Sequence, residues 1–233
     1  MTKMQKTLAA LLVSSTALTG IAQAAEVEAN VGLTTDYIWR GMSQNAGGTS
    51  ASGGLDVAYE SGAYVGVWVG DTAAASEDDI AAGVADFGTQ EVDLYFGYAG
   101  EAGGLSYDVG YLAYMYPSSQ SDDAEADFSE VYVSVGKGPI SLSYYYLADA
   151  DGADAGDSTY IGLDYETDIG NDYSFSLHYG IYDGDFVGDE DQTDIVATVA
   201  KGDFSLSLVT TDGIGADTAD EDDRFVASWG TSF

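Results

Sequence analysis

From Val27 to Trp39 the odd positions read Val27, Ala29, Val31, Leu33, Thr35, Tyr37 and Trp39, and the even ones Glu28, Asn30, Gly32, Thr34, Asp36 and Ile38. A period of two is the signature of a strand with one apolar and one polar face. A run this long exceeds the ordinary globular strand and suits one that crosses a membrane at a tilt. The pattern recurs along the chain. Leu55, Val57 and Tyr59 oppose Gly54, Asp56 and Glu60; Val92, Leu94, Phe96 and Tyr98 oppose Glu91, Asp93 and Gly97; Leu105 to Ala113 alternate with Ser106, Asp108 and Gly110. Further runs start at Ile140, Ile161, Tyr173 and Phe204, and less regular ones cover 63–70, 128–136, 193–200 and the last strand, so the reading gives about twelve strands.

The leading segment is of another kind. Lys3 and Lys6 precede an apolar stretch from Leu8 to Ile21 and then Ala22-Gln23-Ala24, the small-x-small pattern of a signal-peptidase site. Residues 1–24 are therefore expected to be a signal peptide, with 25–233 forming a single β-domain. Beyond residue 24 no stretch is long and apolar enough for a membrane helix, so a membrane-spanning domain would have to be a barrel. Both lysines of the leader count among the six basic residues, and all 40 acidic ones lie beyond it, so residues 25–233 carry 4 minus 40, or −36. That excludes nucleic acid, whose binding depends on basic groups at the phosphates. The absence of cysteine argues against a disulfide-stapled secreted fold. Acidity alone would suggest disorder, but 18 tyrosines and 45% hydrophobic residues supply a folding surface.

The connections alternate in length. Short ones lie near Ser61-Gly62, Gly100 to Gly104, Gly136 to Pro139, Asp168 to Asp172 and Lys201-Gly202; long ones lie at 41–50, 71–88, 117–127, 149–157, 183–191 and 212–222. Short turns at one end and long loops at the other describe an all-β, antiparallel outer-membrane barrel. Aromatics on the apolar face bracket an aliphatic band: Tyr59, Tyr98, Tyr107, Tyr165, Tyr173, Phe204 and Phe233 near the short turns, and Tyr37, Trp39, Tyr146 and Phe225 near the long loops. A soluble sandwich also alternates, but nothing obliges it to place aromatics at strand ends.

With odd positions toward lipid, the pore-lining candidates are Glu28, Asp36, Asp56, Glu60, Glu91, Asp93, Asp108, Glu130, Asp164, Glu166, His178 and Asp194. Arg40 and Arg224 join them at the long-loop end, where they either form a substrate-orienting patch or pair with Asp36, Asp222 or Asp223. Rings of carboxylates favour cations in a water-filled lumen. Inward Tyr64, Trp68, Tyr95, Tyr114, Tyr132 and Tyr160 could instead fill it, because a twelve-stranded interior lies between the filled and the open extremes. Five long loops hold 23 acidic residues without one Lys or Arg, which reads as a solvated anionic rim. Asp149, Asp151, Asp154 and Asp157 are a weak calcium candidate lacking the spacing of a calcium loop. His178, the single histidine, sits beside Ser174 and Ser176 without a hydrolase spacing, so no catalytic residue and no cofactor is assigned.

TTDYIWRGMSQ at 34–44, GLDVAYESGAYVGVWVGD at 54–71 and EVDLYFGYAG at 91–100 resemble the TorF family of porins, an uncharacterised proteobacterial outer-membrane family. The resemblance is strongest over roughly the first hundred residues. It implies an outer-membrane barrel with channel activity and brings no catalytic residues. The ending Phe225…Trp229…Phe233 looks like the terminal strand by which such proteins are recognised for assembly. The expected function is a porin-like, cation-preferring pore for small hydrophilic solutes in a Gram-negative outer membrane. Its expected partners are outer-membrane lipid and lipopolysaccharide, the barrel-assembly machinery and small ions or solutes; a homo-oligomer is expected only by analogy. A non-conducting structural or adhesion barrel and a lipid-modifying enzyme are the alternatives.

Overall fold

The structure is a computed structural model that describes residues 25–74, 87–119, 127–150, 153–184, 191–213 and 223–233. The leader at 1–24 and most of the acidic loop centres lie outside the described residues. Twelve strands close into one barrel: β1 (Glu26–Thr34), β4 (Ser50–Ala58), β5 (Ala63–Asp71), β6 (Gln90–Ala102), β7 (Leu105–Met115), β8 (Phe128–Lys137), β9 (Ile140–Ala150), β10 (Ser158–Gly170), β11 (Tyr173–Gly184), β12 (Gln192–Lys201), β13 (Phe204–Asp212) and β14 (Arg224–Ser232). Each pairs antiparallel with the next, and β14 returns to β1 in a register that places Thr231 opposite Val31 and Trp229 opposite Leu33. Closure matters because an open edge in lipid would strand backbone donors and acceptors. No described helix is long and apolar enough to cross a membrane.

Burial is inverted relative to a water-soluble fold. Val27, Leu33, Leu94, Phe96, Ile140, Leu142, Leu163 and Leu206 all stand exposed on the outer wall. Glu91, Asp93, Asp108, Glu130, Asp194 and Gln192 are buried inside. A soluble protein would expose the charged set and bury the aliphatic one, whereas a barrel in lipid needs this arrangement. The expected twelve strands, the alternation and the lipid-facing odd positions of most strands are all present.

Two-residue turns join β6 to β7, β8 to β9, β10 to β11 and β12 to β13. Gly103 and Gly104, and likewise Asn171 and Asp172, take positive φ at both turn positions, as primed hairpin turns require. One expectation fails. The run from 27 to 39 is not a single strand, because β1 stops at Thr34 and the chain turns into the barrel. There it forms a miniature hairpin of β2 (Ile38–Trp39) and β3 (Met42–Ser43). The consecutive polar residues Thr34, Thr35 and Asp36 interrupt the apolar alternation at that point, and Asp36 secures the exit by accepting from Ser43 Oγ at 2.6 Å.

Candidate functional site

The hairpin spans the lumen at its long-loop end. The Tyr37 hydroxyl donates to Glu91 Oε1 on β6 at 3.1 Å, and Gln192 Nε2 on β12 donates to the Arg40 carbonyl at 2.6 Å. In a ring of twelve strands β6 and β12 stand six apart in either direction, so these two bonds tie opposite walls together. Thr211 Oγ1 on β13 donates to the Gly41 carbonyl at 3.1 Å. Trp39 packs edge-on against Tyr114, Phe128 and Tyr182, with ring centroids 5.6 to 5.9 Å away. Arg40 and Gly41 form the hairpin tip, with φ of 48° and 82°. Glycine adopts that conformation freely, whereas an arginine does so at a cost.

The tip carries the Arg40 side chain to the far wall. Its Nη2 donates to Glu130 Oε2 at 2.6 Å, with both side chains almost fully buried. The guanidinium carbon lies 4.4 Å from the ring centres of Trp39 and of Tyr160, 4.7 Å from Tyr182 and 5.0 Å from Tyr145. Four rings within cation–π range and one carboxylate enclose the charge.

Elsewhere the wall is a pattern of carboxylates bonded to tyrosines. The Tyr95 hydroxyl donates to Asp56 Oδ1 at 2.5 Å, Tyr64 to Asp108 Oδ1 at 2.7 Å, and Tyr114 to Glu130 Oε2 at 3.1 Å. Tyr64 and Tyr132 also share a hydrogen bond through their hydroxyls. The rings lie flat along the wall because glycines on neighbouring strands make room: a Cβ at Gly110 would come within 2.6 Å of the Tyr132 ring. His178 is held by Asp164 Oδ1 at 2.7 Å and by the Tyr160 hydroxyl at 2.5 Å, which in turn reaches Asp194. Both ring nitrogens are thus engaged by acid and phenol groups, an arrangement that orients the ring without presenting it to a serine.

The candidates for the lumen therefore separate. Glu28 and Asp56 are register partners facing inward on β1 and β4, and Glu91, Asp93, Asp108, Glu130, Asp164, His178 and Asp194 line the interior. Glu166 is exposed toward the short turns. Glu60 leaves the lumen face because β4 ends at Ala58, which puts it in the exposed turn. Asp36 lies inside on the in-turned segment, where Arg224 Nη1 reaches its Oδ2 at 3.4 Å. The pairing reading thus holds for Arg224, while Arg40 bonds to Glu130 on the far side instead of joining it. Tyr37 and Trp39 are not outer-girdle residues, since the hairpin takes them inside; Phe225 remains on the lipid face. Phe233 and Phe225 are both highly exposed, and Trp229 shares their side of β14. Asp149 is exposed and Asp157 caps the Asp154 amide at 2.7 Å; Asp151 lies outside the described residues. Among the described residues no group of three acids, histidines or cysteines is placed to hold a metal. The cage residues Tyr145, Tyr182 and Gln192 were not foreseen, and the signal available was their inward parity, at the middle of β9, near the end of β11 and at the start of β12.

A closed twelve-stranded antiparallel barrel with an apolar outside and a polar, acid-rich inside is an outer-membrane barrel of the porin fold. Residues 19–226 match the family described as "Bacterial protein of unknown function (Gcw_chp)", and the chain belongs to that family. No curated protein matches the sequence. Among solved structures the chain is similar to a KdgM porin, with 8% identity, a TM-score of 0.53 and coverage of 88% of this chain and 99% of that one. It is also similar to a NanC porin, at 12% identity, a TM-score of 0.44 and coverage of 89% and 98%. LpxR from Salmonella typhimurium matches at 10% identity, a TM-score of 0.41 and coverage of 88% and 99%. At these identities the KdgM likeness speaks for the fold alone.

Proposed function

We propose that the protein is a passive outer-membrane channel with a preference for cations, whose constriction is the in-turned segment 35–49. The observation that carries this is the charge balance of the lumen. Arg40, Arg224 and His178 are each bonded to a carboxylate, whereas Asp56 and Asp108 are bonded to tyrosine hydroxyls and keep their charge uncompensated. Fixed negative charge in a confined aqueous path raises the local concentration of cations. The resemblance of 34–44, 54–71 and 91–100 to the TorF porins supports the same reading. So does the leader at 1–24, which would deliver the chain to the periplasm, and the exposed Phe233, which would mark it for the assembly machinery.

The hairpin itself favours a second reading, a barrel closed by its own segment and used for display of its acidic loops. Single-channel recording of the refolded protein in a planar bilayer under a salt gradient decides between them. Steady openings with a reversal potential on the cation side are expected. A correctly folded barrel that never conducts would overturn the channel. His178 is engaged at both ring nitrogens, and H178A is expected to leave conductance within about twofold of the parent.

A further inference from the structure

Arg40 is held in the way a ligand is held. Three of its four aromatic neighbours, Tyr145, Tyr160 and Tyr182, belong to β9, β10 and β11, and its carboxylate partner Glu130 belongs to β8. The cage is therefore part of the barrel wall, and only Trp39 arrives with the hairpin. The guanidinium reaches it from a tip whose backbone is strained at a non-glycine residue, a cost that a purely structural crossing could avoid with another residue there. The cage also offers more than Arg40 takes up. Gln192 Oε1 is buried there without a hydrogen-bond partner, whereas the Tyr182 hydroxyl lies toward Arg40. Tyr182 and Gln192 are register partners on β11 and β12, so this open oxygen stands beside a ring of the cage. A buried polar atom left open in this way signals a partner with a different arrangement of donors.

We infer that this cage is a binding site for small solutes bearing a guanidinium or alkylammonium group, and that Arg40 occupies it as an internal competitor. Aromatic faces with one buried carboxylate recognise organic cations over sodium, because a weakly hydrated, flat or alkylated cation gives up its water at little cost. A solute of this class entering from the long-loop end displaces Arg40 from Glu130 and frees the hairpin from the far wall. The inference deepens the channel reading and rests on it only where current is measured.

The test uses methylguanidinium with the full refolded barrel. In R40A the cage is vacated, and about 10 mM methylguanidinium is expected to raise Tm by roughly 5 °C or more over the same concentration of sodium. R40A/E130Q is expected to lose that shift. A second measurement needs no variant: in the wild-type barrel methylguanidinium is expected to raise the open probability by about threefold or more over equimolar sodium. An R40A barrel stabilised no better by methylguanidinium than by sodium, or a wild-type channel that ignores it, would overturn the assignment. Binding without any current would leave the cage and remove the channel; current without binding would do the reverse.

Discussion

At the long-loop end of the lumen Glu130 and Asp36 each face an arginine, whereas toward the short turns Asp56 and Asp108 face tyrosine hydroxyls. Both arrangements satisfy buried carboxylates, but only the first removes their charge. An ion pair consumes the field it creates, so Glu130 and Asp36 add little field of their own and serve as mechanical ties. A phenol donates a hydrogen bond and leaves the negative charge for the solution to balance. On the proposed channel reading the two ends divide the work: one holds a segment in place, and the other would set which ions are welcome.

The largest effect that can break this comparison is removal of one partner from the buried pair. E130A leaves Arg40 charged and without its carboxylate in a site almost closed to water, and is expected to cost about 3–5 kcal/mol in a urea titration of refolded barrels. A cost near zero would mean that the hairpin is not anchored there. W39A removes the ring that packs against Tyr114, Phe128 and Tyr182; it is expected to cost about 3 kcal/mol and to raise single-channel conductance. Unchanged conductance would place the constriction elsewhere. The double variant D56N/D108N keeps the acceptor oxygens for Tyr95 and Tyr64, so its stability should move by about 1 kcal/mol or less. Its reversal potential should shift toward anions, and an unmoved value would show that these carboxylates do not act on the permeating ions. R224A is expected to be mildest, about 1 kcal/mol or less, because its contact with Asp36 is longer and less buried than the Arg40 pair.

Strand number, the lipid face and the position of every short turn could be read from alternation because each depends on near neighbours in sequence. Leu94, Phe96 and Tyr98 announce their common side by spacing alone, and Gly103-Gly104 announces a primed turn. The inward tyrosines Tyr64, Tyr95, Tyr132 and Tyr160 followed from the same parity. The segment after Thr34 did not, because Tyr37 and Trp39 prolong the odd-numbered apolar series after its structural basis has ended. Their partners across the lumen, Glu91, Tyr114, Phe128 and Tyr182, are more than 50 residues away in the chain, and period-two reasoning carries no information about such contacts. Arg40 was expected beside Arg224 for a related reason: closure makes their strands neighbours, but the hairpin carries one of them to the opposite wall.

The in-turned segment also bears on how the barrel is assembled. Strands β1 and β14 meet at the seam, the one pairing in the ring that joins the two ends of the strand sequence. The segment leaves from β1 and is bonded to the last strands: Arg224 reaches Asp36, the Ala227 amide donates to Thr35 Oγ1, and β13 and β12 hold Gly41 and Arg40. The seam is therefore sewn from within by side chains as well as zipped by its own backbone ladder. A chain that has made its first eleven strand pairings but has not yet seated this segment lacks those interior stitches. Closing the ring and seating the hairpin become a single cooperative step, so a channel with an unseated hairpin would also be a channel with a weaker seam.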